Sequence, residues 1–160
     1  MNHRTPLKIG LALLLAGTGT AFAAPNTFVT NALNAGAAEI LLVQQAGDKF
    51  KQADMQTYVG VMVKDHTIFN EQLTELAKKH DIDVPVPPTR VIPSPAVAGK
   101  SPEASFAIGQ VKVTQHLLDL YTAEANSNDD PDLKAFATAQ LKDVQRHEKM
   151  ATRLQKTYKK

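Results

Sequence analysis

Six of the nine prolines in this 160-residue chain fall between Pro85 and Pro102. Five of them punctuate the stretch Asp81 to Ser101, DIDVPVPPTRVIPSPAVAGKS, and the sixth, Pro102, follows it directly. Such a stretch can be neither helix interior nor central strand, because proline fixes φ and brings no amide hydrogen. It reads as an extended crossover. On either side of it apolar residues recur every three or four positions, and no β-branched run alternates as a strand would. The crossover therefore separates two pairs of helices.

The spacing predicts helices over about 26–50, 54–80, 102–126 and 131–158, with the crossover at 81–101. The first seam runs through Val29, Ala32, Gly36, Ile40, Val43, Gly47 and Phe50. The second starts with Asp54 as N-cap and carries Met55, Tyr58, Met62, His66, Phe69, Leu73 and Leu76. Ser101-Pro102-Glu103 and Asp130-Pro131 each pair a capping residue with a proline at the first helical position, which opens the third and fourth helices. The third seam is read as Phe106, Gly109, Val113, His116 or Leu117, Leu120 and Glu124. The fourth is read as Leu133, Ala137, Val144, His147, Ala151, Leu154 and Tyr158.

A helix of about 25 residues is about 37 Å long, and 20 residues of polyproline-like chain reach about 60 Å. The crossover can therefore return along the whole bundle and leave helices two and three parallel. The expected fold is all-α, a four-helix bundle of the long-crossover kind.

Residues 1–23 read as a secretory signal peptide. Arg4 and Lys8 precede an apolar run from Ile9 to Ala16, and Ala21-Phe22-Ala23 supplies the small residues for cleavage after Ala23. The apolar run is shorter than the roughly 20 residues a membrane span needs. A periplasmic or secreted product without a transmembrane span is expected. Beyond Ala23 the chain has sixteen basic and sixteen acidic residues, a balance that offers nothing to nucleic acid. With no cysteine there is no disulfide, thiolate metal site or thiol nucleophile.

Glu39, His66, His116 and His147 each lie within about three residues, or about 4.5 Å along the axis, of their helix midpoint. In a bundle of equal helices the midpoints meet. At 100° per residue His66 falls inside its apolar stripe, and the other three fall at the stripe's edge. Imidazole and carboxylate brought together from four helices suit one divalent transition metal, with Zn, Cu, Fe and Ni all compatible. Asp65, Glu124 and Glu148 are candidate additional ligands or imidazole partners, and Glu71 flanks the same seam. The competing explanation is a polar layer that fixes helix register through hydrogen bonds. His80, beside Lys78 and Lys79, is expected to interact with the end of its own helix and with solvent.

Lys142, Arg146, Lys149, Arg153, Lys156 and Lys160 recur at intervals of four and three and form a basic stripe on the fourth helix. From residue 142 onwards seven bases face two acids, so the preceding part of the mature chain carries the opposite balance. The stripe is either a solvated face or a contact for anionic envelope lipid or an acidic partner. No nucleophile motif, phosphate loop or zinc-protease signature occurs. An enzymatic role is not indicated, and any such role would be that of a metal-dependent oxidase or a catalase-like enzyme.

The stretches Phe28 to Ala46, Tyr58 to Pro85 and Asp130 to Met150 resemble the ferritin-like domain-of-unknown-function 4142 family of secreted bacterial proteins, many of them described as outer membrane proteins. The most specific pieces are Met62-Val63-x-Asp65-His66 followed by Asn70, Glu71 and Leu73, Leu133 to Ala137 followed by His147, and Glu39 within Gly36-Ala37-Ala38-Glu39. The resemblance implies a ferritin-like bundle without an established activity. Ferritin-like iron oxidases use Glu-x-x-His on two helices. Here Val63 and Val144 stand three before His66 and His147, so a mononuclear site fits better than a dinuclear iron centre. Metal handling or stress protection in the envelope is the expected role, with a structural or interaction module of the envelope as the alternative.

Overall fold

A computed structural model of the protein describes residues 25–93 and 95–159. The predicted signal peptide and Lys160 lie outside these residues. Among the described residues four helices follow one another, α1 Pro25–Lys49, α2 Ala53–Lys79, α3 Pro102–Ala125 and α4 Pro131–Thr157.

Two of the starts form as their sequences dictate. Ser101 Oγ accepts from the Ala104 amide at 3.1 Å. Asp130 Oδ1 accepts from Asp132 and Leu133 at 2.9 and 3.0 Å. Each satisfies amides that a helix N-terminus leaves bare, with proline at the next position. The start of α2 differs from expectation. Gln52 is the N-cap, without a side-chain cap bond, and Asp54 lies inside the first turn. The Gln56 amide instead ties the turn together, reaching the carbonyls of Gly47 and Phe50 at the end of α1.

At its other end α2 stops on Asp81, whose φ of 54° is left-handed. The Ile82 amide bonds back to Ala77 at 2.9 Å and Asp81 to Lys78 at 3.3 Å, a Schellman arrangement that turns the chain into the crossover.

Helices α1 and α2 run antiparallel, with Gly36 opposite Asn70 and Gly47 opposite Val59. A Cβ at Gly36 would collide with the Asn70 side chain, so glycine there sets the close approach. Antiparallel packing of α2 on α4 follows from Asp54 meeting Tyr158, Asp65 meeting His147 and Gln72 meeting Gln140. In contrast Gln52 meets Glu103, Tyr58 meets Gln110 and Phe69 meets Tyr121, so α2 and α3 run parallel. Around the bundle the neighbours are α1 with α2, α2 with α4, α4 with α3, and α3 with α1. The long crossover thus joins parallel helices across the diagonal.

Two apolar clusters fill the interior. One contains Phe28, Leu33, Phe69, Leu73, Tyr121 and Leu133. The other contains Val43, Phe50, Met55, Met62, Ala107 and Leu154. Each fully buried large side chain contributes about 1.5–3 kcal/mol. Between the clusters, on all four helices, the buried residues turn polar. Among the described residues no helix is long and apolar enough to cross a membrane.

Candidate functional site at the middle of the bundle

The interrupting layer is Glu39 on α1, His66 on α2, Gln110 and Thr114 on α3 and His147 on α4, all buried. Helix geometry explains the placement. Glu39 stands between Leu33 and Val43 of the two clusters, and His66 between Met62 and Phe69. His147 lies three residues beyond buried Val144 and four before buried Ala151. Each polar side chain therefore occupies a seam position that an apolar residue would otherwise fill.

His147 is held from outside. Its Nε2 lies 2.8 Å from Asp65 Oδ2, and Arg146 bonds the same oxygen at 2.5 Å. An ionised Asp65 can only accept, so Nε2 carries the hydrogen and Nδ1 keeps a lone pair facing inward. That Nδ1 has no partner. Burial lowers the His147 pKa, against the raising effect of Asp65.

The His66 ring sits 5.2 Å from that of His147, with Phe69 at 5.8 Å and edge-on. Burial, and then the neighbouring His147, push its pKa down to about 3, so the ring is neutral at physiological pH. Its Nε2 is likewise unpartnered.

Glu39 is fully buried, and neither carboxylate oxygen has a hydrogen-bond partner. Burial pushes its pKa up to about 7. The Gln110 side chain opposes the shift without meeting hydrogen-bond geometry. Gln110 is itself fixed by the Tyr58 hydroxyl, which donates to its Oε1 at 2.7 Å. Burial, with Glu39 adding to it, keeps the Tyr58 hydroxyl protonated.

Of five buried side-chain atoms without partners among the described residues, four belong to Glu39, His66 and His147. The fifth, Asn70 Oδ1, is one turn along α2 from His66. An unmet buried polar group costs about 1–3 kcal/mol. Four at one level make a concentrated destabilisation that a cation, drawing on lone pairs, would relieve.

His116 is not in this layer. It is exposed on α3, although its height along the helix agrees with expectation. The buried face runs through Ala107, Gln110, Thr114, Leu117 and Tyr121; of the predicted seam Gly109, Leu117 and Glu124 are buried as expected, whereas Phe106, Val113, His116 and Leu120 lie one residue, or about 100° of rotation, off the face. Gln110 and Thr114 fill the place assigned to His116. A seam drawn through Ala107 and Leu117 would have found them, but glutamine and threonine carry no strong sequence signal.

Asp65 does enter the site, as the partner of His147. Glu124 is buried at the end of the bundle, where it accepts from Ser127 Oγ at 3.3 Å. Burial first, then Asp129 and Asp130, raise its pKa against the effect of Ser127. It lies ten residues, or about 15 Å, beyond Thr114 along the axis and is remote from the layer. Glu148 is half-buried and accepts from Thr152 at 2.9 Å, and Glu71 is exposed. His80 reaches beyond its own helix, engaging Asp130 and Asp132 of α4 at 3.0 Å each.

On the basic stripe Lys142, Lys149, Arg153 and Lys156 are exposed, whereas Arg146 is paired with Asp65 and Asp143.

A family model described as a domain of unknown function, DUF4142, matches residues 15–154. The chain belongs to the DUF4142 family. In fold this DUF4142 chain is similar to the crystal structure of a conserved hypothetical protein, Rv2844, from Mycobacterium tuberculosis. The TM-score is 0.68 at 15% identity, over 81% of this chain and 89% of that one. That likeness speaks for the bundle alone. No curated protein matches the DUF4142 chain.

Proposed function

We propose that this DUF4142 chain is a periplasmic or secreted bundle that holds one divalent transition metal at Glu39, His66 and His147, in envelope metal handling or stress protection. What supports the reading is the set of four unpartnered buried atoms contributed by these residues from three helices. The donor set fits: two neutral imidazoles with free lone pairs, one fixed by a carboxylate behind it, and one carboxyl whose proton a cation would displace. Among the described residues no three His, Asp or Glu side chains stand ready to grip one ion, so loading has to draw the layer together. A bound ion would supply the positive charge that buried Glu39 lacks. With Val144 in the apolar core, the Glu-x-x-His pattern of dinuclear iron sites is absent from α4.

The test is elemental analysis of the purified protein, with Zn, Cu, Fe and Ni then added singly. The expected result is about one equivalent of metal, lost in His66→Ala and His147→Ala. Metal-free protein whose melting temperature ignores all four ions would overturn the reading.

A second reading, an envelope interaction module, is favoured by the exposed row Lys142, Lys149, Arg153 and Lys156. It predicts salt-sensitive association with anionic vesicles that disappears when Lys149, Arg153 and Lys156 are reversed to Glu. Arg146 is left out of that variant because it holds Asp65.

A further inference from the structure

A cavity of about 230 Å³ opens where the end of α1, the start of α3 and the crossover meet. Phe50 and Phe106, with ring centres 5.6 Å apart, form its walls together with Leu42 and Ala46. The crossover covers it with Pro93 and Ala96, and is pinned there by the Val97 amide donating to Ser105 Oγ at 3.0 Å. Small-molecule sites begin at about 300 Å³ and are mostly apolar with a few placed polar groups, so this one suits a short ligand.

Its chemistry selects the ligand. Among the described residues the only charged side chain lining the cavity is Lys49, and no acid lines it. A cation would meet a like charge at the rim and lose its water against apolar walls. At the inner end lies Gln110, whose carbonyl oxygen is already taken by Tyr58 and beyond which Glu39 stands. An anionic head turned inward would face that carboxyl, so the head belongs at Lys49 and the apolar body inside.

We propose that this cavity binds a small amphipathic monoanion, of which a medium-chain carboxylate is the simplest form, with its alkyl body between Phe50 and Phe106 and its carboxylate at Lys49. The proposal is independent of any metal in the mid-bundle layer.

The test is calorimetric titration of the protein with octanoate, with octylammonium and octanol as chain-matched comparisons. Saturable binding of octanoate at one site is expected, with no binding of octylammonium and weaker binding of octanol. Ala96→Trp fills the mouth from the exposed crossover, away from the helix core, and Lys49→Glu reverses the rim. Each should weaken octanoate by about tenfold or more while the far-ultraviolet circular dichroism and melting temperature stay as in the parent. Absence of saturable octanoate binding, equal binding of octylammonium or octanol, or unchanged affinity in either folded variant would overturn the proposal.

Discussion

At the end of the bundle His80 sets both ring nitrogens against carboxylates, Nδ1 at 3.0 Å from Asp130 and Nε2 at 3.0 Å from Asp132. At its middle His66 and His147 leave one nitrogen each without a partner, beside a glutamate with two bare oxygens. Both places combine imidazole with carboxylate, and the second is the more deeply buried. A histidine with a carboxylate at each ring nitrogen fastens two helices together. Histidines buried with lone pairs unspent cost stability, and such a cost is expected to persist where the site does something besides holding the fold together. The contrast predicts opposite responses to substitution at the two places.

The largest response is expected from Glu39. Its folded-state pKa of about 7 lies above the ordinary 4.5, so between those values the folded protein binds more protons than the unfolded chain, and stability falls as pH rises. His66, lowered from 6.5 to about 3, acts in reverse, and stability rises with pH from about 3 to 6.5. The metal-free protein should therefore be most stable in mildly acidic solution. In Glu39→Gln the falling limb disappears, and stability climbs to about pH 6.5 and then levels. The two proteins should be alike below about pH 4 and differ by about 3 kcal/mol at pH 8, in favour of the variant, from the move of the Glu39 pKa. Urea denaturation across pH, with chelator present, checks it. A Glu39→Gln protein no more stable than its parent at pH 8 would mean that the carboxylate is well solvated or partnered after all, and would erase the contrast.

Asp65 comes next. Asp65→Asn keeps the size of the side chain but removes the charge that fixes the His147 tautomer. Loss of such a partner behind a metal-binding histidine typically costs about 10–100-fold in affinity. Metal titration of this variant should show that loss with little change in chelated stability. An unchanged affinity would separate His147 from the metal.

Most of the fold is legible in the sequence. Ser101-Pro102 and Asp130-Pro131 are local instructions, carried out where they stand, and the proline-rich segment is long enough to let α2 and α3 run parallel. In the candidate site Glu39, His66 and His147 are legible because they interrupt strongly patterned seams. On α3 the pattern is weak. Its buried face is largely small or polar, with Ala104, Ala107, Thr114 and Gln110 inside, while Val113, Leu118 and Leu120 sit on the flanks. When large apolar residues line both edges of a face, periodicity fixes the axis but not the rotation, and His116 is misplaced for that reason. Asp54 is misread more mildly: Gln52 takes the N-cap position, and Asp54 sits within the first turn, where its Oδ1 accepts from the Met55 amide at 2.9 Å.

The end cluster should answer in the ordinary direction. His80→Ala removes the contact to half-buried Asp130 and should lower stability by about 1 kcal/mol while leaving metal binding and its pH dependence untouched. A change in metal content would mean that the two histidine sites communicate along α2 and α4.

Within that same cluster the smallest effect belongs to the Lys79 and Asp132 pair, 2.7 Å apart but with 69% and 44% of the side chains exposed. Its geometry is as good as that of His80, and the Asp132 carboxylate draws the Lys79 pKa upward. Exposure decides the outcome, because water and salt screen the attraction and the long lysine side chain loses freedom in forming it. Lys79→Ala should melt with its parent in physiological salt, whereas His80→Ala does not. If the lysine variant proves the weaker of the two, the joint between α2 and α4 is held by charge at the surface, and the half-buried imidazole is not its fastening.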